Sequence, residues 1–251
     1  MKTKALITAT ILFFFTHISF AQQDSLALHD KTGTNPLNIS NFMELGNEYS
    51  RAFANTNEHS DMVYIKYGNS FKKLRLNLNV KVPYQFAKHP EDGSVSGFGN
   101  IVLAANYVPY ITNKNGISLT GEFNFRNGDE NFNTEKNDMT LGAGFVFYHV
   151  RRSIITPYYK QSFSLNNHST NANTNQGIIG LLFTSRSANQ QWWLSLNPVM
   201  SMNYSTGNNF FTGKVEAGTL FTHSMSIALR PGIATGGSDR WSLAILLRKV
   251  F

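Results

Sequence analysis

The residues of this sequence that are best suited to chemistry are charged side chains at alternate positions of apolar stretches. The chemistry that they could perform is the selection of solutes. Side chains of a strand point to opposite faces with a period of two, so these charges lie on the polar faces of their strands. Linings of Arg and Lys favour anions. The set is Lys66, Arg75, Lys81, Glu122, Arg126, Lys160, Lys214, Glu216, Arg230 and Arg248, with Glu44 and Glu48 on the same face. It predicts a solute path with a mild anion preference or, alternatively, a network of ion pairs that fills a closed barrel.

A second candidate chemistry is hydrolysis by a serine and a histidine in FTHSMS, which contains His223, Ser224 and Ser226. Such a nucleophile needs a hydrogen-bonded base and a third, orienting group. Neighbouring residues of an extended strand point to opposite faces, which separates His223 from Ser224. No acid lies nearby in the sequence. An outer-membrane lipid hydrolase is therefore the third hypothesis.

Metal and cofactor chemistry has no sequence support. The histidines show no paired metal-ligand spacing. GFGN, residues 97–100, lacks the Lys-Ser/Thr ending and the following helix of a phosphate loop. We predict no metal site and no cofactor.

The elements that must position the charged set are strands. In LRLNLNVKVPY, residues 74–84, Leu and Val alternate with Arg, Asn and Lys, as expected of a strand with one apolar and one polar face. The same rhythm predicts twelve strands over 42–52, 61–67, 71–84, 97–109, 116–126, 138–149, 152–164, 176–185, 191–204, 212–222, 224–232 and 240–251. Pro198 predicts either a bulge in its strand or an error in that span.

The connections indicate what the apolar faces touch. Those after odd-numbered strands are mostly long, polar and acidic, whereas those after even-numbered strands are short and basic. Outer-membrane barrels have long external loops and short periplasmic turns, and their alternating strands hide their hydrophobicity from a bulk measure such as the mean hydropathy of −0.24. We therefore predict an all-β, antiparallel up-and-down transmembrane barrel of about twelve strands, with its Leu/Val face toward lipid.

The N-terminus predicts export. Lys2 and Lys4 precede an apolar stretch, and Ser19–Phe20–Ala21 forms a small-x-small cleavage site, which together predict a signal peptide over 1–21. Residues 22–40 are polar and predict a flexible periplasmic tail, followed by the barrel over 41–251. The absence of cysteine excludes a lipoprotein. The expected location is the outer membrane of a Gram-negative bacterium.

The last strand ends on Phe251 and resembles the C-terminal signature by which bacterial outer-membrane proteins engage the barrel-assembly machinery. The remaining expected partners are outer-membrane lipid, lipopolysaccharide near the acidic loops, and a small solute. The formal charge of +7 is scattered rather than clustered, so we expect no nucleic-acid partner.

The order of local patterns resembles the outer-membrane β-barrel family labelled as meta-pathway phenol-degradation proteins, which are transporter-like. The resembling stretches are MVYIKYGNSFKKLRLNLNVKVPY, VSGFGNIVLAANYVPY, MTLGAGFVFYH and SMSIALRPGIATGGSDRWSLAILLRKVF. The family tends to have Asp where this chain has Asn100. The resemblance implies a barrel that passes small, hydrophobic molecules.

The sequence as a whole predicts a monomeric outer-membrane channel or transporter for small hydrophobic or anionic solutes, and no enzyme. The alternative from another class is a structural or adhesive barrel with a plugged lumen and partner-binding external loops.

Overall fold

The protein is a single antiparallel sheet that closes on itself. A computed structural model describes residues 35–37, 39–53, 58–89, 93–132, 137–149, 153–165, 175–187, 189, 191–236 and 239–251. The strands are β1 Phe42–Ala52, β2 His59–Phe71, β3 Leu76–His89, β4 Gly93–Phe98, β5 Val102–Ile111, β6 Asn115–Asn124, β7 Asp138–His149, β8 Ser153–Ser164, β9 Asn175–Arg186, β10 Trp192–Asn203, β11 Asn209–Leu220, β12 Met225–Thr235 and β13 Arg240–Val250.

Closure comes from β1, which pairs with β2 on one side and with the last strand, β13, on the other. Strands β4 and β5 both pair with β3, along its second and first halves respectively, and so occupy one position in the wall. The barrel thus has twelve wall positions, which confirms the predicted antiparallel barrel. Closure removes the free strand edges that a sheet would otherwise expose.

The break between β4 and β5 is a difference from the predicted single strand over 97–109. The loop that follows β6 folds over this break. The Asp129 carboxylate accepts the Phe98 N–H at 2.6 Å, and the Asn127 side chain accepts the Ile101 N–H at 2.9 Å. These side chains satisfy backbone donors that the interrupted ladder leaves without a strand partner.

The turn between β2 and β3 also differs from its prediction. We expected a turn near residues 68–70, but β2 continues to Phe71, and a short 3-10 helix, Lys72–Leu74, makes the turn. Arg75 then adopts a left-handed conformation with φ of 50°. The regular alternation of LRLNLNVKVPY begins at Leu74, inside the turn, and the two adjacent polar residues Lys72 and Lys73 are the break in the pattern that marks it. At its other end β3 extends to His89, through residues predicted to be a loop.

The outer surface of the barrel is apolar. Leu78 is 44% exposed, whereas its neighbour Asn77, which points inward, is 4% exposed. The same contrast recurs around the wall, with Leu45, Ile65, Leu229 and Ile245 among the exposed side chains. A continuous apolar outer surface on a closed barrel is the arrangement that faces hydrocarbon. Among the described residues, no helix is long and apolar enough to cross a membrane.

The two ends of the barrel differ. The end that holds both Asn41 and the C-terminus, here called the termini end, carries the short turns, and the Phe251 N–H donates to the Asn41 carbonyl at 2.9 Å. The opposite end, here called the loop end, carries the longest connections, 125–137 and 165–174. The predicted signal peptide, 1–21, and the predicted tail up to residue 34 lie outside the described residues.

Pro198 is accommodated without the expected bulge. Strand β10 keeps one register with β9 on both sides of the proline, from Leu196↔Phe183 to Val199↔Gly180. On its other side Pro198 pairs in register with Gly213 of β11. The proline therefore interrupts the ladder on one side only.

Candidate functional site: the barrel lumen

The strand register defines which charged side chains face the lumen. Glu44 lies opposite Lys66, and Lys66 lies opposite Lys81, so the three share one face of adjacent strands. Continuing around the barrel, the register places eight of the ten predicted residues on this inward face: Lys66, Lys81, Glu122, Lys160, Lys214, Glu216, Arg230 and Arg248. Glu44 and Glu48 join them. That a solute passes along this face stays a prediction.

Arg75 and Arg126 are not on strands. Arg75 closes the β2–β3 turn, and Arg126 follows the end of β6, where its N–H donates to the Asn137 side chain at 2.7 Å. Both were assigned to the lumen by extending strand alternation beyond the true strand end. For these two residues the alternation gives no inward or outward assignment, because side-chain parity has meaning only within a strand, and their place on a solute path stays a prediction.

The most buried ion pair joins the first and last strands. Arg248 donates to Glu44 through Nε at 2.7 Å and Nη2 at 2.6 Å, and the side chains are 14% and 8% exposed. The Tyr64 hydroxyl donates to the other carboxylate oxygen of Glu44 at 2.9 Å. The Tyr64 ring lies directly over Gly46 of β1, where any side chain would collide with it. Nε and Nη2 of the Arg248 guanidinium both meet the same oxygen of Glu44, Oε2, while Tyr64 donates to Oε1, so both carboxylate oxygens have donors.

A second cluster spans β1, β11 and β12. Glu48 accepts from Lys214 at 3.2 Å and from Arg230 at 3.4 Å. Arg230 also lies 3.8 Å from Glu216, whose carboxylate accepts the Trp193 indole N–H at 3.0 Å. Trp193 is 1% exposed. Positive and negative groups alternate through this cluster, so each carboxylate has a cationic neighbour.

A third pair lies on the opposite wall, where Lys160 of β8 donates to Glu122 of β6 at 2.6 Å. Glycine at position 142 of the intervening strand leaves room for the lysine stem to pass. Both side chains remain partly exposed, at 29% and 40%. This pair therefore contributes less to the free energy of unfolding than the Glu44–Arg248 pair does.

Lys66 and Lys81 stand apart from these pairs. They lie directly opposite one another on β2 and β3, and neither has a carboxylate within ion-pair distance among the described residues. Each amine lies near an aromatic ring instead. The Lys81 Nζ is 4.3 Å from the centre of the Tyr64 ring, and the Lys66 Nζ is 5.5 Å from that of Phe42. Like charges directly opposite on neighbouring strands are destabilising.

Two polar cavities occupy the lumen. The first, of about 210 Å³, is lined by Lys214, Glu216 and Arg230 with the polar side chains of Ser195 and Asn197. The second, of about 200 Å³, is lined by Lys66 and Glu44 with the amides of Asn77, Asn79 and Asn106. Arg248 lines both. A shallow depression of about 400 Å³, lined mainly by Leu78, Leu103 and Phe123, lies on the lipid-facing side instead.

The described end of the predicted tail lies inside the barrel. Leu37 is completely buried and Ile39 is 4% exposed, and both pack against inward-facing apolar residues of the wall. The expectation of a flexible tail through residue 40 therefore does not describe this part of the chain. The sequence did contain a sign of this burial, because the apolar residues Leu37 and Ile39 occupy alternate positions. A single sequence does not say which surface they cover.

The hydrolase residues are not assembled into a site. His223 is exposed in the turn before β12, whereas Ser226 is buried on the inward face of that strand. In the part of the chain that the structure describes, no three His, Asp or Glu side chains are grouped so as to hold a metal ion.

The fold is that of outer-membrane channels. An outer-membrane channel from Pseudomonas putida F1 superimposes with a TM-score of 0.64 over 85% of this chain and 96% of that one, at 13% identity. NanC porin gives a TM-score of 0.61 over 82% of this chain and 98% of its own, at 7% identity. A monoaromatic hydrocarbon channel, CymD, gives 0.51 over 90% and 94%, at 8% identity.

The sequence matches no protein-family model and no curated protein. The resemblance to the phenol-degradation family therefore lacks independent confirmation, and the structural neighbours establish the fold alone.

The functional residues that the sequence analysis missed are Tyr64, Trp193 and Leu37. Each acts through a partner on a different strand, which no local pattern indicates.

Proposed function

We propose that this protein is an outer-membrane channel for small solutes and that it prefers anions. The observation that carries the proposal is the Lys66–Lys81 pair. Each of the four inward-facing carboxylates named above already has a cationic partner, which leaves the amines of Lys66 and Lys81 without a carboxylate partner among the described residues. An anion between them would relieve the repulsion between like charges.

The size and chemistry of the cavities support small, polar solutes. Two spaces of about 200 Å³ hold several water molecules or one small solute each. Their walls offer amides, hydroxyls and cations, and the Nε–H of Arg230 has no acceptor among the described residues. Of the two solute classes left open by the sequence, this lining favours the anionic one. Membership of the phenol-degradation family would favour the hydrophobic class instead.

The test is ion selectivity of the purified, refolded protein in a planar bilayer under a KCl gradient. We expect discrete openings whose reversal potential indicates a preference for chloride. Replacing both amines, Lys66→Gln with Lys81→Gln, makes the cations and carboxylates of the inward set equal in number. The chloride preference should then disappear while the openings persist.

Lys88→Gln is the matched control, because it removes one positive charge from an exposed, outward-facing position of the same strand. It should leave selectivity unchanged. If the double variant keeps the chloride preference of the original protein, the proposed role of the lysine pair is wrong.

A structural barrel with a plugged lumen is the second candidate, and the burial of residues 35–37 and 39 inside the barrel favours it. Complete silence in the bilayer, from protein shown to be folded and from a variant lacking residues 22–40, would support this second function over the first.

A further inference from the structure

The described residues before β1, 35–37 and 39–41, enter the lumen at the termini end without joining the sheet. They have no strand conformation. Leu37 is buried completely, although it belongs to no strand, turn of the wall or loop between strands. The chain therefore places an apolar anchor, the Leu37 side chain, inside the barrel, away from the charged side chains of β1, β11, β12 and β13.

The wall has a socket that matches this anchor. Val108 of β5, Val146 of β7 and Ile154 of β8 point inward and form one buried cluster with Leu37 and Ile39. Gly116 of β6 lies under the end of the Leu37 side chain, where a larger residue would collide with it. Apolar side chains that face a water-filled lumen are unfavourable unless something covers them.

Directed hydrogen bonds fix the segment in place. The Asn106 amide donates to the Pro36 carbonyl at 2.7 Å, and the Asn77 amide donates to the Ser40 carbonyl at 3.0 Å. The Asn35 amide donates to the Tyr148 hydroxyl at 3.1 Å. These three hydrogen bonds involve side chains of the wall, so residues 35–37, 39 and 40 can leave without disrupting any strand pairing, whereas Asn41 stays bound to Ser70 and Phe251.

We propose that residues 35–37, 39 and 40 form a gate at the termini end of the channel, closed when Leu37 occupies the socket of Val108, Val146, Ile154 and Gly116. The gate lies on the solute path because Asn35, Pro36 and Ser40 line the same cavity as Lys66 and Arg248. This inference rests on the proposed channel function. The channel opens when Leu37 leaves the socket, and an anion that reaches Lys66 lies next to the gate.

The chain contains no cysteine, so an engineered disulfide can lock the gate without competing thiols. Leu37→Cys together with Gly116→Cys places the two thiols on the two sides of the anchor contact, because a side chain at position 116 would meet the end of the Leu37 side chain. We expect the oxidised double variant to show no openings in a planar bilayer, and reduction to restore openings like those of Leu37→Cys alone. Each single variant serves as the control for the other.

The complementary variant lacks residues 22–40 and leaves the barrel intact. It should remain open for a larger fraction of the time than the original protein. Failure of the disulfide to form in folded protein, or undiminished openings after it has formed, would overturn the gate and leave the channel standing. Silence of the truncated variant, once folding has been verified by heat-modifiable mobility on a gel, would overturn the channel function itself.

Discussion

Two regions of the lumen wall bury their side chains in opposite ways. The charged wall, formed by Glu44, Glu48, Lys214, Glu216, Arg230 and Arg248, satisfies its members with one another across β1, β11, β12 and β13. The apolar socket, formed by Val108, Val146 and Ile154, is covered by Leu37 and Ile39, which come from outside the sheet.

The difference separates what is fixed from what can move. Ion pairs within the charged wall are held by strand pairing, so their geometry persists as long as the barrel does. The socket depends on a segment that is attached by hydrophobic contact and a few hydrogen bonds. Structural elements that move in function are drawn from such weakly attached parts. The charged wall is thus suited to selecting solutes and the socket to gating them.

The largest expected effect is on the charged wall. Glu44→Ala leaves the guanidinium of Arg248 buried and removes the acceptor of the Tyr64 hydroxyl. We expect the free energy of unfolding to fall by about 3–5 kcal/mol, as for other broken buried ion pairs. Urea unfolding in lipid vesicles, followed by tryptophan fluorescence, measures this. Glu130→Ala, in an exposed loop, is the control and should change stability by less than about 0.5 kcal/mol.

A smaller effect is expected where the charged wall meets an aromatic side chain. Trp193→Phe removes the N–H that donates to Glu216 and also the six-membered part of the indole that lies over Gly218. The loss should be about 1.5–3 kcal/mol, which is the range for a hydrogen bond to a charged group. Urea unfolding followed by circular dichroism gives the value. An unchanged free energy would mean that Glu216 is satisfied by Arg230 alone.

A pair of reciprocal substitutions sharpens the comparison. Val146→Thr puts a hydroxyl into the apolar socket and should cost about 1–3 kcal/mol. Thr184→Val makes the opposite change on β9 and takes a 2.9 Å hydrogen bond from the buried Ser195 hydroxyl, at a cost of about 1–3 kcal/mol. A Val146→Thr variant that, in the same unfolding assay, unfolds with the same free energy as the original protein would contradict the view that the socket is selectively apolar. Val146→Thr should also increase the time that the channel is open, since it weakens the seat of Leu37.

The smallest effect concerns ionic strength. Raising salt from 0.1 M to 1 M shortens the Debye length from about 10 Å to about 3 Å. The chloride preference should therefore decrease with salt in the original protein and show little salt dependence in Lys66→Gln with Lys81→Gln. Reversal potentials at a fixed concentration ratio measure this. A preference that is insensitive to salt would indicate selection by size.

The agreement between sequence and structure follows from what alternation encodes. The spans predicted for β1 and β7, 42–52 and 138–149, match the observed strands residue for residue, and the apolar faces point outward as predicted. Errors in the predicted spans occurred where alternation began inside a turn, as at Leu74 and Arg75, or continued past a strand end, as at Arg126. A period of two reports side-chain parity but carries no information on where a strand stops.

The sequence by itself determined the class of fold, the face of each strand and the excess of positive charge, because these depend on residue types at fixed local spacing. The tertiary structure decided which charges neutralise one another. Glu48 meets Lys214 and Arg230 from positions 166 and 182 residues away, and only barrel closure and strand register bring them together. It also decided that Leu37 enters the lumen, since burying an apolar side chain is favourable on any matching surface and only the folded barrel supplies that surface.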